Sequence, residues 1–165
     1  MRARIIIALP LLVACQGSGE TDPGSTPDVR VNELMASNKA AVEAPDGSFP
    51  DWFELANFDA EAVDLSGATL TDDAAEPGKF TFPDGSELAP GEYLVLWADG
   101  DGLAEDSVSF KLSADGESIV LAGPDGRVWE AIEFAAQEAD VAWGRSPDGG
   151  DVWATVAPSP GEPNP

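Results

Sequence analysis

Five aspartates have the type and spacing to hold a hard cation. Asp72 and Asp73 follow an apolar stretch, and Asp99 and Asp101, within Asp99-Gly100-Asp101-Gly102, are followed closely by Asp106. Calcium takes oxygen ligands from carboxylates and carbonyls on bent loops, so these acids are candidate ligands. The Asp-x-Asp-Gly spacing falls short of a full calcium loop, and turn carboxylates are ordinarily just solvated. Two carboxylates facing each other could instead cleave a glycosidic bond. With 31 Asp and Glu in 165 residues, however, some pair lies close by chance. Other catalytic equipment is scarce. The chain has no histidine, so Ser-His and Cys-His nucleophiles and Cys/His zinc sites cannot be assembled. No glycine-rich phosphate loop of either standard spacing precedes a helical pattern. The expectation is a protein without catalytic residues and without a cofactor, calcium excepted.

The single cysteine carries a different chemistry. Met1-Arg-Ala-Arg4 is followed by the apolar run Ile5-Ile-Ile-Ala-Leu-Pro-Leu-Leu-Val-Ala14 and then by Cys15. Two arginines, about ten mainly apolar residues and a small residue before the cut are the three regions of a secretory leader. A membrane span would need about 20 apolar residues. Leu12-Val13-Ala14-Cys15 resembles the bacterial lipobox, which implies diacylglyceryl transfer to the Cys15 sulfur, cleavage after Ala14 and acylation of the new amino end. Two or more acyl chains anchor stably where one does not. Gln16 rather than Asp follows the cysteine, so the usual inner-membrane retention signal is missing. The expected place is the bacterial cell envelope, at the outer membrane or cell surface.

Removing residues 1–14 takes away Arg2 and Arg4 and leaves six basic residues against 31 acids. Duplex nucleic acid is an unsuitable partner for such a chain, because phosphate-backbone binding draws on clustered Lys and Arg. At 43% hydrophobic residues with five tryptophans, the sequence is too apolar for a disordered acidic tail. One folded domain is the expectation.

Three segments follow. Residues 1–14 form the leader, and 15–28 form a lipidated cysteine with a Gly/Ser/Thr/Pro/Asp tether spanning roughly 20 Å as a coil. Residues 29–165 form the domain. There, short runs rich in β-branched and aromatic residues alternate with turn chemistry, and no helical period is sustained. Strands are predicted at Val29–Met35, Trp52–Phe58, Ala68–Thr71, Lys79–Phe82, Tyr93–Trp97, Ser118–Ala122, Val128–Phe134, Val141–Gly144 and Val152–Thr155. Pro-Asp-Gly turns at 45–47, 83–85, 124–126 and 147–149 punctuate them. Residues 120–129 read as a hairpin. About nine short strands imply an antiparallel sandwich or barrel. Tyr93-Leu94-Val95-Leu96-Trp97 is apolar on both faces, which places it centrally, between two packed layers. The long connections 36–51 and 99–109 are the places to look for function.

Trp52, Trp97, Trp129, Trp143 and Trp153 offer flat faces for sugar rings, although strand positions favour packing; Trp129 or Trp143 is the candidate for exposure. Glu33 and Glu54 interrupt apolar strands and are expected to accept hydrogen bonds from a turn, with Arg145 a potential partner for one of them.

In order along the chain, these phrases resemble the lamin tail domain in its bacterial form. They run from Val31-Asn32-Glu33-Leu34-Met35-Ala36-Ser37-Asn38 through Asp51-Trp52-Phe53-Glu54-Leu55-x-Asn57, Val63-Asp64-Leu65-Ser66-Gly67 and Leu70-Thr71-Asp72-Asp73. Next come Phe82-Pro83-Asp84-Gly85, Leu88-x-Pro90-Gly91-x-Tyr93-Leu94-Val95-Leu96-Trp97-Ala98-Asp99 and Phe110-Lys111-Leu112-Ser113-x-x-Gly116-Glu117. Gly144-Arg145-x-Pro147-Asp148-Gly149 and Pro158-Ser159-Pro160-Gly161-x-Pro163-Asn164 close the series. The resemblance implies an all-β, immunoglobulin-like antiparallel β-sandwich. It also implies contact with other proteins and, in the animal copies, nucleic acid. The missing basic face and heptad rod argue against carrying over nucleic-acid contact or filament assembly.

The expected function is therefore a lipid-anchored, non-enzymatic binding or structural module of the envelope, its protein or glycan partner unspecified. The alternatives are a calcium-dependent carbohydrate or matrix binder and, from another class, a carboxylate-based extracellular hydrolase.

Overall fold

The computed structural model describes residues 25–104 and 106–165. The expected leader, Cys15 and most of the expected tether lie outside them. Among the described residues there is no helix. Eleven strands appear in order: β1 (Val29–Met35), β2 (Asp51–Asn57), β3 (Val63–Asp64), β4 (Thr69–Thr71), β5 (Phe80–Thr81), β6 (Glu87–Leu88), β7 (Tyr93–Ala98), β8 (Gly116–Ala122), β9 (Val128–Ala135), β10 (Ala142–Arg145) and β11 (Trp153–Val156).

They build a five-stranded sheet in the order β11-β10-β1-β2-β7, a four-stranded sheet β5-β4-β8-β9 and a small pair β3-β6. Every ladder between named strands is antiparallel. Period-two patterning explains the packing, since alternate side chains of a strand point to one face. Leu34, Phe53 and Leu96 form one rung across β1, β2 and β7. They enter the main core with Leu70, Ile119, Leu121 and Ile132 of the four-stranded sheet. Phe110, from the connection after β7, stacks on Phe53 at 6.1 Å between ring centroids. The β8–β9 hairpin forms where Pro124-Asp125-Gly126 stands. Gly126 takes φ +79° there, a conformation that costs side-chain-bearing residues energy.

Two sequence expectations change. β3 and β6 were not foreseen, because two residues are too few to show a period. β7 is an edge of the five-stranded ladder rather than a central strand. Its outer edge is covered by the chain that follows, with Trp97 N–H donating to the Asp106 carbonyl at 2.8 Å and Val108 N–H donating to the Trp97 carbonyl at 2.9 Å. The double-sided apolar pattern of β7 has another origin: the five-stranded sheet is covered on both faces. Its second face carries a smaller cluster of Met35, Trp52, Trp97 and Ala142, roofed by Val42 and Ala44 of the β1–β2 connection.

Candidate functional site

A β-bulge sets up the polar centre of this second face. Val31 pairs with Leu55 and Glu33 with Glu54, so β1 holds one residue more than β2 between these rungs, Asn32. A bulge reverses the in-out alternation. Val31 and Leu34 both point into the main core, while Glu33 turns to the opposite face. In a regular, unbulged strand through Val31, Asn32 and Glu33, Glu33 would point with Val31 into the hydrophobic core.

Glu33 and Glu54 are consequently cross-strand neighbours, both with no exposed surface. The C-terminal segment closes over them. The Ser159 hydroxyl donates to Glu33 Oε2 at 3.0 Å and the Ser159 N–H reaches both oxygens at 3.2 Å. Gly161 N–H donates to Glu54 Oε2 at 2.6 Å, and Asn32 Nδ2 to Glu54 Oε1 at 3.3 Å. Desolvation by burial pushes both carboxyls up to about 7, with these hydrogen bonds opposing the shift. The expectation that the two acids accept hydrogen bonds from a turn is met: Glu162 N–H returns to the Ser159 carbonyl at 3.0 Å.

Asp148 ties the same segment to the sheet. Its Oδ1 accepts from Asn32 Nδ2 and from the Asn164 N–H, each at 2.9 Å, and its Oδ2 accepts the Tyr93 hydroxyl at 2.6 Å. Burial, together with that bond to Asp148, pushes the Tyr93 phenol up. Asn164 is the last clasp, donating its amide to the Asn32 and Arg145 carbonyls at 2.9 and 3.0 Å. A Cβ on Gly144 would sit 2.8 Å from Asn164 Nδ2, so only glycine leaves room for this amide.

Arg145 departs from the expectation. It pairs with neither Glu33 nor Glu54; its Nη2 lies 3.3 Å from Glu130 Oε2 on β9. Its Nε donates to the Val31 carbonyl at 2.8 Å and its Nη1 to the Gly150 carbonyl at 2.7 Å. Its guanidinium also lies 4.8 Å from the Trp153 ring, which stacks on Trp143 at 4.4 Å. The bulge accounts for the choice: Glu33 turns to the face that the C-terminal segment occupies, and Arg145 instead reaches the Val31 carbonyl beside Glu130. Neither Trp129 nor Trp143 is exposed; both are half-buried against the main core.

The five aspartates put forward as calcium ligands stand in two separate places with local partners. Asp72 is 2.7 Å from Lys79 Nζ. Asp73 caps its own turn, accepting the Ala75 N–H at 2.8 Å. Asp99 accepts the N–H groups of Asp101 and Gly102 at 2.8 and 3.2 Å; burial opposes ionisation of its carboxyl, but these bonds help to hold it below the ordinary range. Asp106 accepts the Trp97 indole N–H at 3.1 Å. Asp101 is exposed. Among the described residues no group of three or more acidic side chains is arranged to hold a metal ion.

The sequence pointed to Glu33 and Glu54 as polar residues within apolar strands. It did not reveal Asn32, Tyr93, Asp148 and Asn164 as one network. The signal available was their recurrence inside the quoted family phrases.

No curated protein is similar enough to the chain to match it. The model of the lamin tail domain matches residues 22–136. That span stops after β9, whereas β10, β11 and the C-terminal segment complete the five-stranded sheet and seal its second face. The match covers more than half of the 165 residues and coincides with an antiparallel, immunoglobulin-like sandwich, and on that ground the chain belongs to the lamin tail domain family.

Proposed function

We propose that the chain is a lipid-anchored envelope protein whose lamin tail domain acts as a non-enzymatic binding or structural module. The observation that carries the non-enzymatic part is the sealing of Glu33 and Glu54. They are the carboxyls pushed up to about 7, the range that suits a general acid near neutral pH, yet both have no exposed surface beneath the C-terminal segment. A substrate has no access to them, and their oxygens are occupied by Ser159, Gly161 and Asn32. The anchoring part rests on Arg2, Arg4, the apolar run to Ala14 and Cys15.

The test is fractionation of cells carrying the parent chain or Cys15→Ser. The parent is expected with membranes and the variant in the soluble fraction; equal partitioning of the two would refute the anchor. A glycan and nucleic-acid substrate panel showing turnover that is lost on one Asp or Glu substitution would overturn the non-enzymatic reading.

A further inference from the structure

The described residues include six cationic side chains, in a chain with 31 acids. Four of the six are in ion pairs: Arg30 with Asp28, Lys79 with Asp72, Arg127 with Asp125 and Arg145 with Glu130. Lys39 and Lys111 have no carboxylate within 4.0 Å among the described residues, although both charges favour ionisation of Asp51, which lines the same hollow. They are far apart in sequence, yet both line one open hollow of about 430 Å³ beside the β1–β2 connection. An unpaired lysine at a surface is ordinary; the convergence of both on one hollow is the informative fact.

The hollow is built on a fixed frame. Asp140 Oδ1 accepts the N–H groups of Lys39, Ala40 and Ala41 at 2.7, 2.8 and 3.2 Å, holding the backbone from which Lys39 projects. Asn38 fastens the same connection, donating to the Val42 and Pro50 carbonyls at 2.6 and 2.8 Å. The aliphatic stem of Lys111 lies over Gly100, where a Cβ would come within 2.9 Å of its Cε. Two ammonium groups on anchored roots lose less freedom on binding than two on mobile loops.

The remaining lining narrows the ligand. Phe49 is 37% exposed, one of few large apolar side chains left open to solvent, and Pro50 lies next to it. Asp51 accepts one backbone N–H, from Asn38 at 2.8 Å, and Asp99 accepts two, from Asp101 and Gly102, each carboxylate using a single oxygen and leaving the other able to accept from a hydroxyl. Cationic donors, carboxylate acceptors and a flat apolar face in one hollow suit a ring that carries one carboxylate and several hydroxyls.

We propose that this hollow binds an acidic saccharide, a hexuronate unit whose carboxylate lies between Lys39 and Lys111, whose ring rests on Phe49 and whose hydroxyls donate to Asp51 and Asp99. The proposal deepens the reading of the domain as a binding module and rests on it; it does not depend on the anchor.

Titration calorimetry of the full-length chain at 0.15 M salt, with chelator present, compares trigalacturonate with neutral galactotriose. Trigalacturonate should bind at least tenfold more tightly. Lys39→Gln and Lys111→Gln should each weaken it at least fivefold and Phe49→Ala severalfold, while Lys79→Gln, whose ammonium pairs with Asp72 outside the hollow, should leave it unchanged. Equal affinity for the two sugars, no uronide binding, or binding that survives loss of both lysines would overturn the proposal. Circular dichroism of each variant separates loss of binding from loss of fold. Membrane partitioning of Cys15→Ser is read separately, so failure here leaves the anchor standing and failure there leaves this site standing.

Discussion

Glu33 and Glu54 face each other directly across β1 and β2, both without solvent exposure and both hydrogen-bonded to the C-terminal segment. Like charges directly opposite in a sheet repel, and burial adds to that cost. The arrangement persists because burial raises both carboxyls to about 7, so the pair carries less than its full charge near neutral pH, and because the segment supplies donors.

A pH dependence follows from that pair. Both carboxyls are raised in the fold to about 7 from an ordinary 4.5, so the folded state binds more protons than the unfolded chain between those values. Unfolding free energy therefore falls as pH rises through that window. The effect of these two groups is absent below about pH 4.5 and complete above about pH 7. The difference in stability between parent and Glu33→Gln should shift in favour of the variant from pH 5 to pH 8, by on the order of 3 kcal/mol. Urea unfolding at the two pH values measures it; a pH-independent difference would mean that Glu33 is not protonated in the fold.

Gly144→Ala should act at a distance from its own strand. The added Cβ meets Asn164 Nδ2 at 2.8 Å, so the amide must leave the Asn32 and Arg145 carbonyls. Each buried acceptor left without a donor costs about 1–3 kcal/mol. Asn164→Ala should cost a similar amount, and the double variant should fall well short of the sum, because both changes break the same clasp. Full additivity in chemical denaturation would contradict the coupling.

Much of this was legible beforehand. The Pro-Asp-Gly turns and β-branched runs located the longer strands, because turn chemistry and period two are local properties. The position of β7 was not legible: Leu94 and Val95 report that both faces are covered, but not that the β1–β2 connection roofs one of them. Arg145 was equally opaque, since its partner Glu130 is brought beside it by the packing of two sheets. The bulge at Asn32 was the decisive unread feature, because one extra residue reverses which face Glu33 occupies.

Arg145→Lys should be destabilising although the charge is kept. The guanidinium fork serves the Val31 carbonyl, the Gly150 carbonyl and Glu130 at once, and lies against Trp153. An ammonium reproduces neither the fork nor the stacking. A loss of about 2–3 kcal/mol is expected in denaturant titration; a loss below about 0.5 kcal/mol would show that the fork contributes little.

Calcium should leave the fold unmoved. Asp72 is paired with Lys79, Asp73 and Asp99 cap their own turns, and Asp106 holds the Trp97 indole. Thermal melting with excess calcium, matched for ionic strength, should shift by less than about one degree. A rise of several degrees would show that these loops rearrange around the ion.

The proposed envelope role turns on Cys15, and mass spectrometry of the protein purified from its native cells addresses it directly. A chain beginning at Cys15 and carrying diacylglyceryl and acyl mass on that residue is the expected result. A chain that retains residues 1–14, or one that bears a free Cys15 thiol, would contradict the proposed anchor and with it the proposed place at the envelope surface.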